Sequence, residues 1–283
     1  MTKKNGKSEN VTIVPARASV VPDYIMEVAP EERGLEHIAQ YVRPPFIRVV
    51  QRQSSTELLD QFGEGDVIVR PGNMRVCEMK VDAKHRPTGE SDGFLITPVF
   101  FYPEYMSWNP IELKGNAPAI RERSLDPNGA IAHKAANPDT RVEPFVGEDG
   151  KPSKYNIRHV EHLNFVVVIH GIDLDTPCIL SFSRAEHTAG RNFCNVIKMR
   201  GGAIYGGIYA VHQMPRSNNQ GEWWGLEVSN PGSDVSAPWV DREAFEKFKS
   251  LHQEYKKLHA DAKLRVELDD ADGEASANGE TEY

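Results

Sequence analysis

The sequence predicts a mainly β fold: a β-barrel with one helix between strands, a C-terminal helix and a disordered acidic tail. Three observations carry that expectation. Gly93 to Tyr102 and His159 to His170 are rich in aromatic and β-branched residues, which suit a pleated, half-buried surface. Phe245, Phe248, Leu251, Tyr255, Leu258 and Ala262 recur at spacings of three and four, one apolar stripe on a helix. Val266 to Tyr283 holds seven acids and no base among Gly, Ala, Ser and Asn, a composition that cannot bury enough apolar surface to fold.

Taken in order, residues 1–43 are punctuated by Pro15, Pro22 and Pro30 and read as an N-terminal arm, with one short strand at Val11 to Val14. Residues 44–240 form the barrel domain. Pro44-Pro45 opens an apolar segment, Phe46 to Val50. A short helix over Ser55 to Phe62 is capped by Ser55 or Thr56 and stopped by Gly63 and Gly65. Asp66 to Val69 and Arg75 to Val81 follow as strands. Six prolines between Asn109 and Tyr155 interrupt every periodicity, so residues from about 109 to 158 read as a long insertion. Cys178 to Phe182 is a strand. Thr188 then caps a helix with Ala189, Phe193, Val196 and Ile197 on one face and Gly201-Gly202 as its stop. Ala203 to Gln213 and Glu222 to Val228 are strands joined by a polar hairpin loop. Residues 241–265 are the C-terminal helix and 266–283 the tail.

The net charge of −8 is misleading until the tail is set apart. The chain has 41 acids, and seven lie in the tail, which leaves 34 against 33 bases over residues 1–265. A near-neutral body is free to carry a basic groove. The longest apolar run, Phe165 to Ile169, is far short of the roughly 20 residues of a membrane helix, so no membrane association is expected. Lys3, Lys4 and Lys7 are followed by no apolar segment of the secretory kind. Three cysteines, Cys77, Cys178 and Cys194, lack framework spacing and suggest a reducing compartment. The expectation is a cytoplasmic protein, in the host cytoplasm if viral.

Motifs for catalysis are missing from the sequence. It has no phosphate loop, no G-x-S-x-G elbow, no H-E-x-x-H and no G-x-G-x-x-G. His159 and His162 would point to opposite faces of a strand, and no C-x-x-C pair accompanies them. The expected protein therefore has no catalytic residue, no metal and no cofactor.

What remains suits a polyanion. Arg191 to Gly221 carries Arg191, Lys198, Arg200 and Arg216 and not one carboxylate, with Arg184 just upstream. Interleaved are Tyr205 and Tyr209, followed by Trp223-Trp224, and a second aromatic group lies at Tyr102, Tyr105 and Trp108. Cations contact phosphates, and aromatic faces stack unpaired bases at about 1–3 kcal/mol each. Residues Tyr102, Tyr105, Trp108, Arg184, Arg191, Lys198, Arg200, Tyr205, Tyr209, Arg216 and Trp223 are the candidate nucleic-acid-binding set.

The order of three strands, a helix and two strands matches the five-stranded OB barrel, whose 4–5 hairpin would be Ala203 to Val228. On Pro177-Cys-Ile-Leu-Ser-Phe-Ser-Arg-Ala185, Gly190-Arg-Asn-Phe193, Ala203-Ile-Tyr-Gly-Gly-Ile-Tyr-Ala-Val211, Trp223-Trp224 and Glu280-Thr-Glu-Tyr283, the chain resembles bacteriophage single-stranded DNA-binding proteins with an OB core and an acidic tail. The resemblance spans about a third of the chain. It implies a protein that coats single-stranded DNA in replication and recombination, without sequence preference. It also implies a tail (Asp269, Asp270, Asp272, Glu280, Glu282, Tyr283) that recruits polymerase or helicase, and leaves room for a homo-oligomer. Two other readings stay open. One is a virion or assembly structural protein. The other is a metal-dependent nucleic-acid enzyme using Asp173 and Asp175, or His159, Glu161 and His162.

Overall fold

Runs of β-branched and aromatic residues give the chain its strands, several of them buried on both faces. The computed structural model describes residues 44–84, 86–110, 118–146, 150–172, 177–218, 221–231, 238–261 and 264. The N-terminal arm, Asp173, Asp175 and the six tail residues named above lie outside the described residues.

The strands are β1 (Phe46–Val49), β2 (Val67–Arg70), β3 (Met74–Cys77), β4 (Phe94–Trp108), β5 (Ile120–Ser124), β6 (Val142–Val146), β7 (Pro152–Ile169), β8 (Cys178–Ser183), β9 (Tyr209–Asn218) and β10 (Gly221–Ser229). The helices are α1 (Thr56–Gln61), α2 (Ala130–Ala136), α3 (His187–Arg200) and α4 (Arg242–Ala260). All ten strands join one sheet in the order β10-β9-β4-β7-β8-β1-β2-β3, with β5 beside β4 and β6 beside β7. Among the described residues only the β1–β8 contact is parallel. The protein is mainly β, and the sheet is a curled half-barrel, larger than the five-stranded barrel expected from the order of elements.

The two longest strands explain the size. β4 and β7 run antiparallel from Ile96↔Ile169 to Trp108↔Arg158. Near Ile96 they are flanked by β9 and β8; at the far end, by β5 and β6. The stretch read as an insertion thus holds β5, α2, β6 and the first part of β7, which extend the same sheet. Pro98 has no N–H for the ladder, and the register shifts between Pro98 and Phe100.

Side chains from all eight strands of the main path meet in one cluster, which identifies the inside of the curl. Helix α3 fills it. Phe193 lies 4.6 Å from Phe165 and 5.1 Å from Tyr209, ring to ring. Close approach requires Gly190, because a Cβ there would sit 2.7 Å from the Cβ of Phe182. The opposite face is covered by α4, whose Phe248 and Tyr255 pack on Val99, Tyr102 and Val166. Burial of each such side chain is worth roughly 1.5–3 kcal/mol. The Asp241 side chain caps α4, accepting from the Ala244 N–H at 2.8 Å.

Several boundaries differ from expectation, each for a local reason. α3 begins at His187 after a 3-10 turn, Arg184–Glu186, so Thr188 is not its cap. β9 begins only at Tyr209, because Ile204–Gly206 forms another 3-10 turn. The hairpin read as a loop is strand out to Asn218.

Candidate nucleic-acid interface

Helix α3 has two unlike sides. Ala189, Gly190 and Phe193 are buried against the sheet, while Arg191, Asn195 and Lys198 are exposed. Spacings of four and three align these three residues in one polar stripe, with the two cations about 10 Å apart along the axis. Among the described residues no ion pair engages Arg191 or Lys198. Glu161 lies nearby; its bond to His187 at 2.7 Å, and to a lesser degree the Arg191 charge, hold its carboxyl below the ordinary range.

The last residue of α3 builds the second part. Arg200 donates to the carbonyls of Ile208 at 2.6 Å and Pro238 at 2.9 Å. Its guanidinium lies between two rings, with its central carbon 4.6 Å from the centroid of Tyr209 and 4.5 Å from that of Trp239. Trp239 is 53% exposed and Met199 is 86% exposed. One large indole is therefore held at the surface, backed by a cation, at the C-terminal end of α3; Arg200 itself leaves the helix on the side opposite the Arg191–Lys198 stripe.

The β9–β10 hairpin contributes a third group. Arg216 and Trp223 are cross-strand partners, so their side chains share a face. Both meet Glu186: the Trp223 indole donates to its Oε1 at 3.1 Å, and Arg216 Nε lies 3.8 Å from the same oxygen. Burial pushes the Glu186 carboxyl above its ordinary pKa.

The remaining candidates are placed otherwise. Tyr102, Tyr105, Trp108 and Tyr209 are all buried, at 1%, 8%, 6% and 2% exposure, and offer no ring face to a base. For the three β4 rings the cause is that strand's mid-sheet position, where alternation sends successive rings to opposite, covered faces, and Tyr209 on β9 packs against Phe193 of α3. Burial raises Tyr105 to about 12. Tyr205 is half-buried between Phe245 and His252. Arg184 stacks over Trp108 at 5.3 Å, and burial lowers its pKa to about 10. Of the sequence-derived set, the surface thus keeps Arg191, Lys198, Arg200, Arg216 and Trp223. Sequence reasoning missed Trp239. Its signal was an isolated tryptophan between Pro238 and the cap Asp241, outside any strand pattern.

The polar residues of β7 engage different neighbours. His159 bridges Ser107 at 2.8 Å and Glu143 at 3.2 Å. His162 is fully buried beside Trp108, and burial pushes its pKa down to about 3. Among the described residues no three of His, Cys, Asp and Glu come together in a group that could hold a metal ion.

A family model described as Pam3 phage gp34-like protein matches residues 83–261, more than half of the chain. The chain belongs to this phage family. The gp34-like region runs from before β4 through the end of α4, and so contains the α3 stripe, Trp239 and the hairpin. Neither the curated proteins nor the solved structures contain a match. Among the described residues no helix of this gp34-like chain is long and apolar enough to cross a membrane.

Proposed function

We propose that this phage-family protein is a non-catalytic, sequence-tolerant single-stranded DNA-binding protein whose binding surface runs from Trp239 along α3. The observation that carries the reading is Trp239, an exposed indole stacked on Arg200 at the C-terminal end of α3, the helix whose exposed face carries Lys198 and Arg191. A rigid ring loses little freedom when a base stacks on it, and the cations supply the phosphate attraction. Duplex bases present no free face, so single strands are preferred. The proposed role is accessory to replication and recombination, with the acidic end, from Asp269 to Tyr283, contacting polymerase or helicase.

The deciding experiment is a titration of the intact protein with oligo(dT) and with duplex of equal length at two salt concentrations. Quenching of tryptophan emission by the single strand, weaker at higher salt, is expected. Equal, weak responses to both would remove the reading.

The assembly reading has one observation in its favour. Val142 and Val146 on β6 are 42% and 53% exposed, an apolar strip on a strand that pairs only with β7 among the described residues. Stable oligomers by light scattering without nucleic acid, lost on Val146→Lys, would favour that reading instead.

A further inference from the structure

The carboxylate of Glu186 lies in a setting that fits an oxyanion better than it fits Glu186. Two donors converge on it: the Trp223 indole N–H and the Arg216 guanidinium. Gly225 makes the room, since a Cβ there would stand 2.6 Å from the carboxyl carbon. The hold is incomplete. Oε1 serves both Trp223 and Arg216, the latter at 3.8 Å, while Oε2 is buried with no partner. A buried acceptor left unpaired is destabilising, and burial together with the Glu227 charge disfavours the ionised form. Nor does α3 need this carboxylate, because Glu186 is the helix's N-cap residue yet its side chain makes no capping bond.

We propose that the β9–β10 hairpin carries a phosphate site, formed by Arg216 and the Trp223 indole N–H over Gly225, which Glu186 plugs in the free protein. A phosphate group has more acceptor oxygens than the carboxylate and charge enough for Arg216, so it engages every donor once Glu186 turns outward. The same chemistry serves a phosphodiester of a bound strand or a free phosphate. The site does not depend on the single-strand reading, although a DNA phosphate would join the hairpin to the α3 surface.

The test uses the full chain and two variants, Glu186→Gln and Glu186→Ala, titrated with inorganic phosphate at constant ionic strength by isothermal calorimetry. Glu186→Gln keeps the side-chain shape and removes the charge. Both variants are expected to bind phosphate at least tenfold more tightly than the parent, and Arg216→Gln added to Glu186→Gln abolishes the gain. An oligo(dT) titration of Glu186→Gln then separates the sources. A tighter complex with a salt slope steeper by about 0.7 assigns the site to the strand. Unchanged oligo(dT) affinity with improved phosphate binding supports the site and assigns it to free phosphate. Phosphate binding with no oligo(dT) binding by any form keeps the site and ends the single-strand reading. If Glu186→Gln retains the parent's unfolding midpoint and gains no phosphate affinity, the proposal is overturned.

Discussion

The side-chain amide of Gln51 exchanges two hydrogen bonds with the backbone of Trp224, 173 residues away: Nε2 donates to the Trp224 carbonyl at 2.6 Å, and Oε1 accepts from the Trp224 N–H at 2.9 Å. Gln51 lies just beyond β1 and Trp224 lies in β10, two strands that the ladder order keeps far apart. An amide side chain here copies the bonding of a backbone partner and clasps the curled sheet where no strand pairing does. Buried Gln213 on β9 makes a second clasp, donating to the Gly65 carbonyl at 3.3 Å and accepting from Ser91.

Replacing Gln51 with Leu leaves two backbone groups of Trp224 unpaired in a half-buried position. The expected loss is about 1–3 kcal/mol of unfolding free energy, measured in urea. Trp224 emission should shift at denaturant concentrations below the main transition. An unchanged midpoint would show that the clasp carries no load.

Trp239→Ala should leave the fold intact, because the ring is half exposed, and weaken oligo(dT) binding by about 1–3 kcal/mol if one base stacks there. Tryptophan quenching by oligo(dT) should largely vanish in the same variant. Trp108→Phe should leave the quenching in place, since that ring is buried.

Arg191→Ala and Lys198→Ala are each expected to lower the slope of log affinity against log salt by about 0.7, one phosphate contact apiece on a single strand. A parallel loss of affinity at all salt concentrations, with no change of slope, would place those side chains away from the phosphates.

His162 yields a pH prediction with a definite sign. Its folded pKa of about 3 lies below the ordinary 6.5, because burial opposes the charged ring. Below about pH 6.5 the unfolded chain takes up a proton that the folded chain refuses, so stability falls with pH until the folded value is reached. Between pH 7 and pH 5 the loss from this residue alone is about 2 kcal/mol. His162→Gln should be less sensitive to acid over that range by a similar amount in urea unfolding.

Gly190→Ala tests the seating of α3. The added methyl would meet Phe182 at 2.7 Å and Leu163 at 3.0 Å, both core side chains. Destabilisation of about 1–3 kcal/mol is expected from overpacking, read as a lower thermal midpoint. Nucleic-acid affinity should fall with it, because the stripe moves with the helix.

Much of this architecture is legible in local pattern. Aromatic and β-branched richness marked β4 and β7, the three-and-four stripe marked α4, and Gly201, with φ of 71°, stops α3 as its position suggested. These features follow from the chain's own period and from backbone freedom at glycine, which neighbours along the sequence determine. The basic stripe of Arg191 and Lys198 was equally visible, since charge without nearby acids needs no third dimension. Ring exposure belongs to another level. Tyr102, Tyr105 and Trp108 lie in a run that looks the same whether one face of its strand is wet or both are covered. What arrives from elsewhere decides it: α4 covers Tyr102, α2 covers Tyr105, and Ala119, Ile120 and Arg184 cover Trp108. The pairing of Gln51 with Trp224, the seat of Trp239 on Arg200 and the meeting of Glu186 with Trp223 join residues far apart in the chain. Sequence by itself determined which groups could bind a polyanion; tertiary packing decided which were left at the surface, because burial depends on what lies across the fold and not on what lies next in the chain.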